Sequence, residues 1–347
     1  MAHLIFAVPG DLATLTGGYG YAREIIRCWK AAGHSFQHIP LGDGFPNPSP
    51  AVMDEACRRL AATPDGTTVL IDGLAYGVLP AAFLQQTRRR WLALVHHPLA
   101  LETGVDPAQQ VILKMSERAA LAEASQVIVT SPATARELVT SYAVPEQKVT
   151  VALPGVEASG RASGGEGVPL LLSVGTLTRR KGHDVLVAAL SELGDLDWQC
   201  RFVGSTDRDP EVTESLRLAI SRAGLDQRID IVGEVDGAGL QKEYHQADIF
   251  VLASRYEGYG MVFAEAMAHG LPVIACHAGA VPDTVPESAG MLVPVDDAPA
   301  LAGAVRLLLT DRSRRQALSD GAWQHGQGLA RWPDTARIIA DIMEQTA

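Results

Sequence analysis

The stretch "DIFVLASRYEGYGMVFAEAMAHGLPVIAC", residues 248–276, carries the reading of the fold. "DIFVLAS" is an apolar run of strand length, "RYEGYG" the loop at its carboxyl end, and "MVFAEAMAHG" a helix stopped by Gly270 with Pro272 behind it. "PVIAC" (272–276) is the next apolar strand. Two apolar strands joined through a helix imply a parallel sheet covered on both faces. Ligands of such sheets bind at the carboxyl ends of the strands, which is where this loop lies. It carries Glu257, and Glu265 follows eight positions later, about one turn into the helix. Gly258 and Gly260 let backbone approach a ligand, and the N–H groups near Met261 and Val262 are unpaired helix-start donors. The unit therefore offers a loop carboxylate, anion-binding amides and a helix carboxylate. A helix-dipole partner is the plain structural reading of Glu265, but it leaves Glu257 and the glycines unexplained.

The same grammar runs through the chain. Strands are predicted at 4–8, 68–72, 92–96, 126–131 and 148–153, then at 170–175, 198–204, 229–233, 248–254 and 272–276. Amphipathic segments near 18–32, 51–62, 107–123, 132–142, 182–193, 211–223, 237–246, 261–269, 297–309 and 312–326 read as helices. The break is "EASGRASGGEGVP" (157–169), rich in Gly and Ser and without apolar periodicity. The expected organisation is a first domain over 1–157, a linker over 158–168, a second domain over 169–328 and a returning C-terminal helix over 329–347, with Pro333 at its start. The fold class is α/β, with two doubly wound Rossmann-like domains facing each other across a cleft.

Composition agrees with that class. The 347 residues exceed the usual single-domain size, and 47% hydrophobic with 5% aromatic content describes a globular α/β protein. The four cysteines, Cys28, Cys57, Cys200 and Cys276, are scattered without CxxC or His/Cys ligand spacing, so neither a disulfide framework nor a zinc site is expected. "MAHLIFAVPGD" lacks the basic flank and long apolar region of a signal peptide, and no apolar stretch reaches membrane-spanning length. A cytoplasmic chain with at most peripheral membrane contact is expected. Net charge is −11, and it is uneven: Lys+Arg against Asp+Glu is 12 to 14 over 1–157 and 17 to 26 over 158–347. That balance disfavours nucleic-acid binding. The basic cluster "TRRRW" (87–91) reads as a solvated segment before a strand.

Three further motifs carry chemistry. After the first strand, a loop of about nine residues reaches Gly17 and Gly18 at a helix start; it is too long for a dinucleotide fingerprint, yet suits close approach of a phosphate or sugar. In "LALVHHPLALETG", His96 and His97 sit where a strand ends, and His96 is the better placed to hydrogen-bond a sugar or a developing charge. No Ser or Cys nucleophile motif accompanies them. "LLLSVGTLTRRKGHDVLVAAL" puts Arg179, Arg180 and Lys181 at another strand exit, a sensible diphosphate site.

Taken together, these residues resemble the retaining glycosyltransferases of family 4, with the GT-B fold and a Glu-x7-Glu signature. The signature is Glu257 to Glu265, and the match extends through Gly17-Gly18, His96, "VTVALPGVE", "VGTLTRRKGHDVLVAAL" and "HAGAVPDTVPESAGMLVPVDD". The resemblance implies transfer of a hexose from a UDP- or GDP-sugar to an acceptor hydroxyl, with retention at the anomeric carbon. The nucleotide sugar is a substrate, and no cofactor and no metal is expected. Glu257 would bind the donor sugar, Glu265 the ribose, and Arg180 and Lys181 the departing diphosphate. Gly18 and the helix start over Tyr259, Gly260, Met261 and Val262 would supply backbone donors, and His96 would stabilise the transition state. Where many members have Gly-Arg this chain has Gly175-Thr176, so the phosphate arginine is Arg179 or Arg180. "GAVPD" replaces the usual Gly-Gly-x-Pro-Glu and makes Gly279 a donor-site residue. Asp207-x-Asp209 in "TDRDP" is superficially a metal motif, read here as a loop without metal. The acceptor is a small molecule, a saccharide or a lipid-linked compound. A nucleotide-sugar epimerase, another GT-B-fold enzyme and a catalytically silent sugar-nucleotide-binding partner are the alternative readings.

Overall fold

Short runs of Leu, Ile, Val and Phe, too apolar to face water on either side, build the strands of two sheets in a computed structural model that describes residues 3–86, 88–157, 159–164 and 167–345. Thr87 of the basic cluster and linker residues 158, 165 and 166 lie outside the described residues. The chain divides into two compact units, Met1–Gly155 with Ala330–Ala347, and Val156–Leu329.

In the first unit the strands are β1 (His3–Val8), β2 (Ser35–Pro40), β3 (Thr68–Asp72), β4 (Arg90–Val95), β5 (Gln126–Val129) and β6 (Val149–Val151). They pair in the order β2-β1-β3-β4-β5-β6, every neighbour parallel. The last helix, Trp332–Gln345, belongs to this unit: the Trp29 indole donates to the Ala336 carbonyl at 3.0 Å and the Thr335 hydroxyl to Leu153 at 2.7 Å. Gly155 is needed for that docking, because a methyl group there would lie 2.2 Å from the Trp332 backbone nitrogen.

In the second unit β7 (Leu170–Val174), β8 (Gln199–Val203), β9 (Ile229–Gly233), β10 (Ile249–Leu252), β11 (Val273–Cys276) and β12 (Gly290–Val293) pair in the order β12-β11-β10-β7-β8-β9, again all parallel. Alternate residues serve opposite faces: Ile249 and Val251 enter one apolar core, Phe250 and Leu252 the other. This explains why β10 reads as a continuous apolar run. The helix Met261–Ala268 ends as its sequence requires. Gly270 adopts φ 72°, its N–H bonds to Met267 and that of Leu271 to Ala266, closing a Schellman motif.

Both sheets reverse direction once. The chain lays β2 on one side of β1 and returns to the other side for β3; it lays β8 and β9 on one side of β7 and returns to the other for β10. Carboxyl ends at such reversals are the binding positions of doubly wound sheets. β7 and β10 are therefore the pair that matters in the second unit, and their exits are "TLTRRKG" and "RYEGYG".

Two strands, β2 and β12, fall outside the sequence expectation, and both are sheet edges. β2 alternates exposed and covered residues and carries His38 and Gln37; β12 is four residues opening on glycine. The alternation of β2 and the three apolar residues of β12 are too weak for the continuous-run signal, which the other two edges, β6 and β9, still carry.

Candidate active site

The cationic turn is fixed by a glycine. Arg179–Lys181 form a single 3-10 turn after β7, closed by Gly182 at φ 66°. Any side chain at Gly182 would run into the Ala253 carbonyl, with Cβ at 2.0 Å, so the turn is pressed onto the end of β10. There Lys181 Nζ lies 2.5 Å from Glu257 Oε1 and Arg180 Nη1 lies 3.3 Å from Oε2. The Ser254 hydroxyl donates to Oε1 at 2.6 Å. Glu257 is 5% exposed. Burial pushes its carboxyl up, but the two cations outweigh burial and hold it at about 2. It is an anion at every working pH, and its charge is what permits two cations at a strand exit with little water around them.

Arg255 is architectural. It forms a two-bond pair with Asp184 at 2.8 and 3.0 Å, bonds Asp296 at 2.7 Å, and donates to the Arg179 carbonyl; its own N–H donates to the Arg180 carbonyl at 2.8 Å. One side chain thus locks the cationic turn to the β10 exit. Gly279, at φ 54°, completes the loop from the other side: a methyl there would sit 2.3 Å from the Glu257 carbonyl, which accepts the Ala280 N–H at 2.9 Å.

Past the loop, Gly260 takes φ 84° and opens the helix carrying Met261, Val262 and Glu265. The Tyr259 ring is buried, and its carbonyl accepts the Thr284 hydroxyl at 2.7 Å. Burial, with Glu265 nearby, pushes the Tyr259 hydroxyl up to about 12. Glu265 Oε2 accepts the Tyr244 hydroxyl at 2.8 Å. Burial raises the Glu265 carboxyl above its ordinary value, against the lowering effect of that bond. The two glutamates are therefore of opposite character: Glu257 is locked as an anion by cations, and among the described residues Glu265 is met by a neutral donor.

In the first unit Gly17 and Gly18 open the helix Gly17–Ala31. A methyl at Gly18 would touch the His96 ring at 3.6 Å, so the two expected site residues are neighbours. The Tyr21 ring meets His96 edge-on at 5.3 Å, and the His96 carbonyl accepts the Thr130 and Thr134 hydroxyls. His96 Nε2 is 3.4 Å from Oδ2 of the buried Asp72 at the end of β3. His97 points elsewhere, to Glu102 at 3.2 Å.

Ser49, Asp72, Asp106, Ser131, Asp209, Asp236, Asp297 and Asp311 each cap their helix through a side-chain oxygen. The starts at Gly17, His183 and Met261 follow β1, β7 and β10 and have no cap from their N-cap residues, and the same holds for Val281–Thr284 after β11; at His183 the Asp184 carboxylate takes the Asp184 and Val185 amides instead. Uncapped amides beside the sheet reversals suit an anion or a hydroxyl. Asp209 belongs to the scaffold: it accepts from Val212 at 3.1 Å. Among the described residues no three His, Cys, Asp or Glu side chains converge as a metal site. Arg89 of the basic cluster donates to Thr63 and Ala61, again structural.

Sequence reasoning passed over Asp72 and Ser254. Asp72 is distant in sequence from His96, and only the parallel pairing of β3 with β4 brings them together. Ser254 could have been found, since a serine ending an apolar strand three residues before Glu257 is within reach of it.

Comparison with known proteins agrees with this geometry. Residues 168–311 match the family model described as "Glycosyl transferases group 1". D-inositol 3-phosphate glycosyltransferase of Arthrobacter sp. (strain FB24) is 30% identical over 290 residues, 77% of this chain and 68% of the relative. The one from Corynebacterium kroppenstedtii is 29% identical over 276 residues, 73% of this chain and 60% of its own length. The chain thus spans about three fifths of the length of the first such relatives. Among solved structures, sucrose-phosphate synthase from Thermosynechococcus elongatus superposes with a TM-score of 0.85 at 24% identity, covering 99% of this chain and 98% of that one. Anabaena Alr3699/HepE, solved with UDP and glucose, gives 0.78 at 16%, covering 99% and 100%. Two all-parallel six-stranded sheets with this match are the GT-B fold, and the chain belongs to the group 1, GT4-type glycosyltransferases.

Proposed function

We propose that the chain transfers a hexose from a UDP- or GDP-sugar to an acceptor hydroxyl, with retention at the anomeric carbon and without a metal ion. The observation carrying this reading is the cluster of Lys181, Arg180 and Glu257 at the β7–β10 reversal, beside the uncapped helix start at Met261. Transfer from a nucleotide sugar releases a diphosphate, and its developing charge must be met where the bond breaks. Lys181 and Arg180 are the cations that would meet it, and the amides near Met261 and Val262 would add donors. Two fixed cations do the work that a metal does in other enzymes. Glu257 holds those cations in place and turns its carboxylate to the sugar hydroxyls, while Glu265 takes the ribose. On the first unit, His96, with the Asp72 carboxylate 3.4 Å from its Nε2, is the candidate for charge on the transferred sugar. UDP and glucose in the HepE structure, and inositol phosphate in the names of the curated relatives, suggest which donors and acceptors to try first.

The test is turnover of UDP- and GDP-hexoses, as slow hydrolysis alone and as transfer with D-inositol 3-phosphate or other polyols. Proton NMR of the first product formed should show the donor's anomeric configuration, and excess EDTA should leave the rate unchanged. No turnover and no stabilisation by any nucleotide sugar would end this reading. Inversion at the anomeric carbon, or loss of activity in EDTA, would overturn its mechanism.

A further inference from the structure

Tyr244, on the helix Gly237–Gln246, has no part in the donor chemistry argued so far, yet it is fully buried and its hydroxyl points at Glu265. Its ring lies nearly flat on His269, with centroids 4.9 Å apart and planes 17° apart, and tilts against Phe250 at 6.1 Å. His269 is itself held at both nitrogens. Nδ1 lies 2.8 Å from the Glu265 carbonyl oxygen, and Nε2 lies 2.9 Å from Oε1 of Gln241. Burial lowers the His269 imidazole below its ordinary value. The chain of contacts starts and ends on Glu265, one branch on its backbone and one on its carboxylate.

We infer that Tyr244 is the positioning residue for Glu265: it ties down one carboxylate oxygen and turns the other outward for a vicinal diol. Oε2 takes the phenol hydrogen at 2.8 Å, while Oε1 takes no hydrogen bond from any described residue. A glutamate one turn into a helix has three rotatable bonds, and a ribose diol is recognised only if the carboxylate plane is fixed beforehand. Tyr244 is suited to fix it. Burial, then the neighbouring Glu265 charge, pushes its hydroxyl well above the ordinary value, so it remains a donor beside a carboxylate at any working pH. The stacked His269 holds the ring against rotation.

The inference rests on the ribose role proposed for Glu265, and the experiment separates the two. Calorimetric titration compares UDP with 2′,3′-dideoxy-UDP, and GDP with 2′,3′-dideoxy-GDP, on wild type and on Tyr244→Phe. Wild type should prefer the ribose form of its nucleotide by about tenfold or more, the scale of hydrogen bonds to a charged group. Tyr244→Phe should bring that preference close to one while leaving the affinity for the dideoxy form unchanged. Wild type with no preference refutes the ribose role, and the inference with it. A wild-type preference that Tyr244→Phe retains in full refutes the inference alone. A thermal scan without ligand checks that the variant folds. If it does not, Gln241→Ala, at the exposed end of the chain of contacts, should weaken the same preference two- to threefold, and an unchanged preference there would contradict the inference equally.

Discussion

The carboxyl end of β3 and β4 in the first unit and that of β7 and β10 in the second use the same scaffold for different electrostatics. The first holds an imidazole against one buried carboxylate, His96 and Asp72, beside a glycine helix start. The second packs two cations around one carboxylate, with a third arginine locking the backbone beneath them. Parallel sheets supply the place, and the residues at the exits decide what it attracts. An imidazole beside an aspartate suits a transient positive charge or a hydroxyl. A cationic turn suits a group already anionic.

The comparison breaks most sharply at Lys181. Lys181→Met leaves the buried Glu257 short of a partner, and the expected cost is about 3 kcal/mol of unfolding free energy with activity reduced at least ~100-fold. The double variant Lys181→Met with Glu257→Gln should recover much of the stability and none of the activity. Chemical denaturation and turnover measured on the same preparations separate the two effects. Recovery of activity as well would reduce the pair to scaffold.

His96 is the corresponding test of the first unit. His96→Ala should lower turnover about 100-fold with the unfolding midpoint nearly unchanged, and Asp72→Asn, which keeps the cap on Leu74, about tenfold. If both variants act only on stability, the first unit contributes no chemistry there.

A third test concerns acidity away from either site. Glu117 is buried behind the loop that follows His96 and accepts the Leu99 N–H at 2.9 Å; burial raises its carboxyl from 4.5 to about 8. The folded protein then binds a proton that the unfolded chain has released, so stability falls as pH rises from about 4.5 to about 8. The slope is at most about 1.4 kcal/mol per pH unit. Glu117→Gln should flatten that part of the stability–pH curve, and an unaltered slope would show that Glu117 does not cause it. Glu257 acts in the opposite sense, since its carboxyl is held at about 2: its contribution is present above 4.5 and is lost as pH falls toward 2.

The smallest expected effect is at the scaffold end. Asp209→Ala should cost about 1 kcal/mol as a lost helix cap, with turnover and nucleotide affinity as in wild type. A large loss of turnover would return the Asp207-x-Asp209 segment to consideration as a site.

These contrasts mark how far the sequence can be read. Central strands such as β3, β7 and β10 announce themselves because both faces are buried. β2, with alternate residues exposed, and β12, with three apolar residues after a glycine, do not, while the other two edges, β6 and β9, do. Glu257, Lys181 and Arg180 were legible because glycines and like charges at strand exits have no plain structural explanation. The role of Arg255 is not legible in the sequence, and its bonds to Asp184, Asp296 and Arg179 identify it as a clamp. Asp72 reads as a helix cap, which it also is. Tyr244 reads as core, an aromatic on the buried face of an amphipathic helix, and only its hydroxyl direction says more.

The most direct test of the central assignment is calorimetric titration of UDP- and GDP-hexoses into wild type, Lys181→Ala and His96→Ala. The expected result is a wild-type isotherm for one nucleotide sugar, preserved in His96→Ala and weakened at least about tenfold in Lys181→Ala. Equal binding by Lys181→Ala and wild type, or no binding by any of the three, would contradict the assignment of the β7–β10 exits to the donor diphosphate.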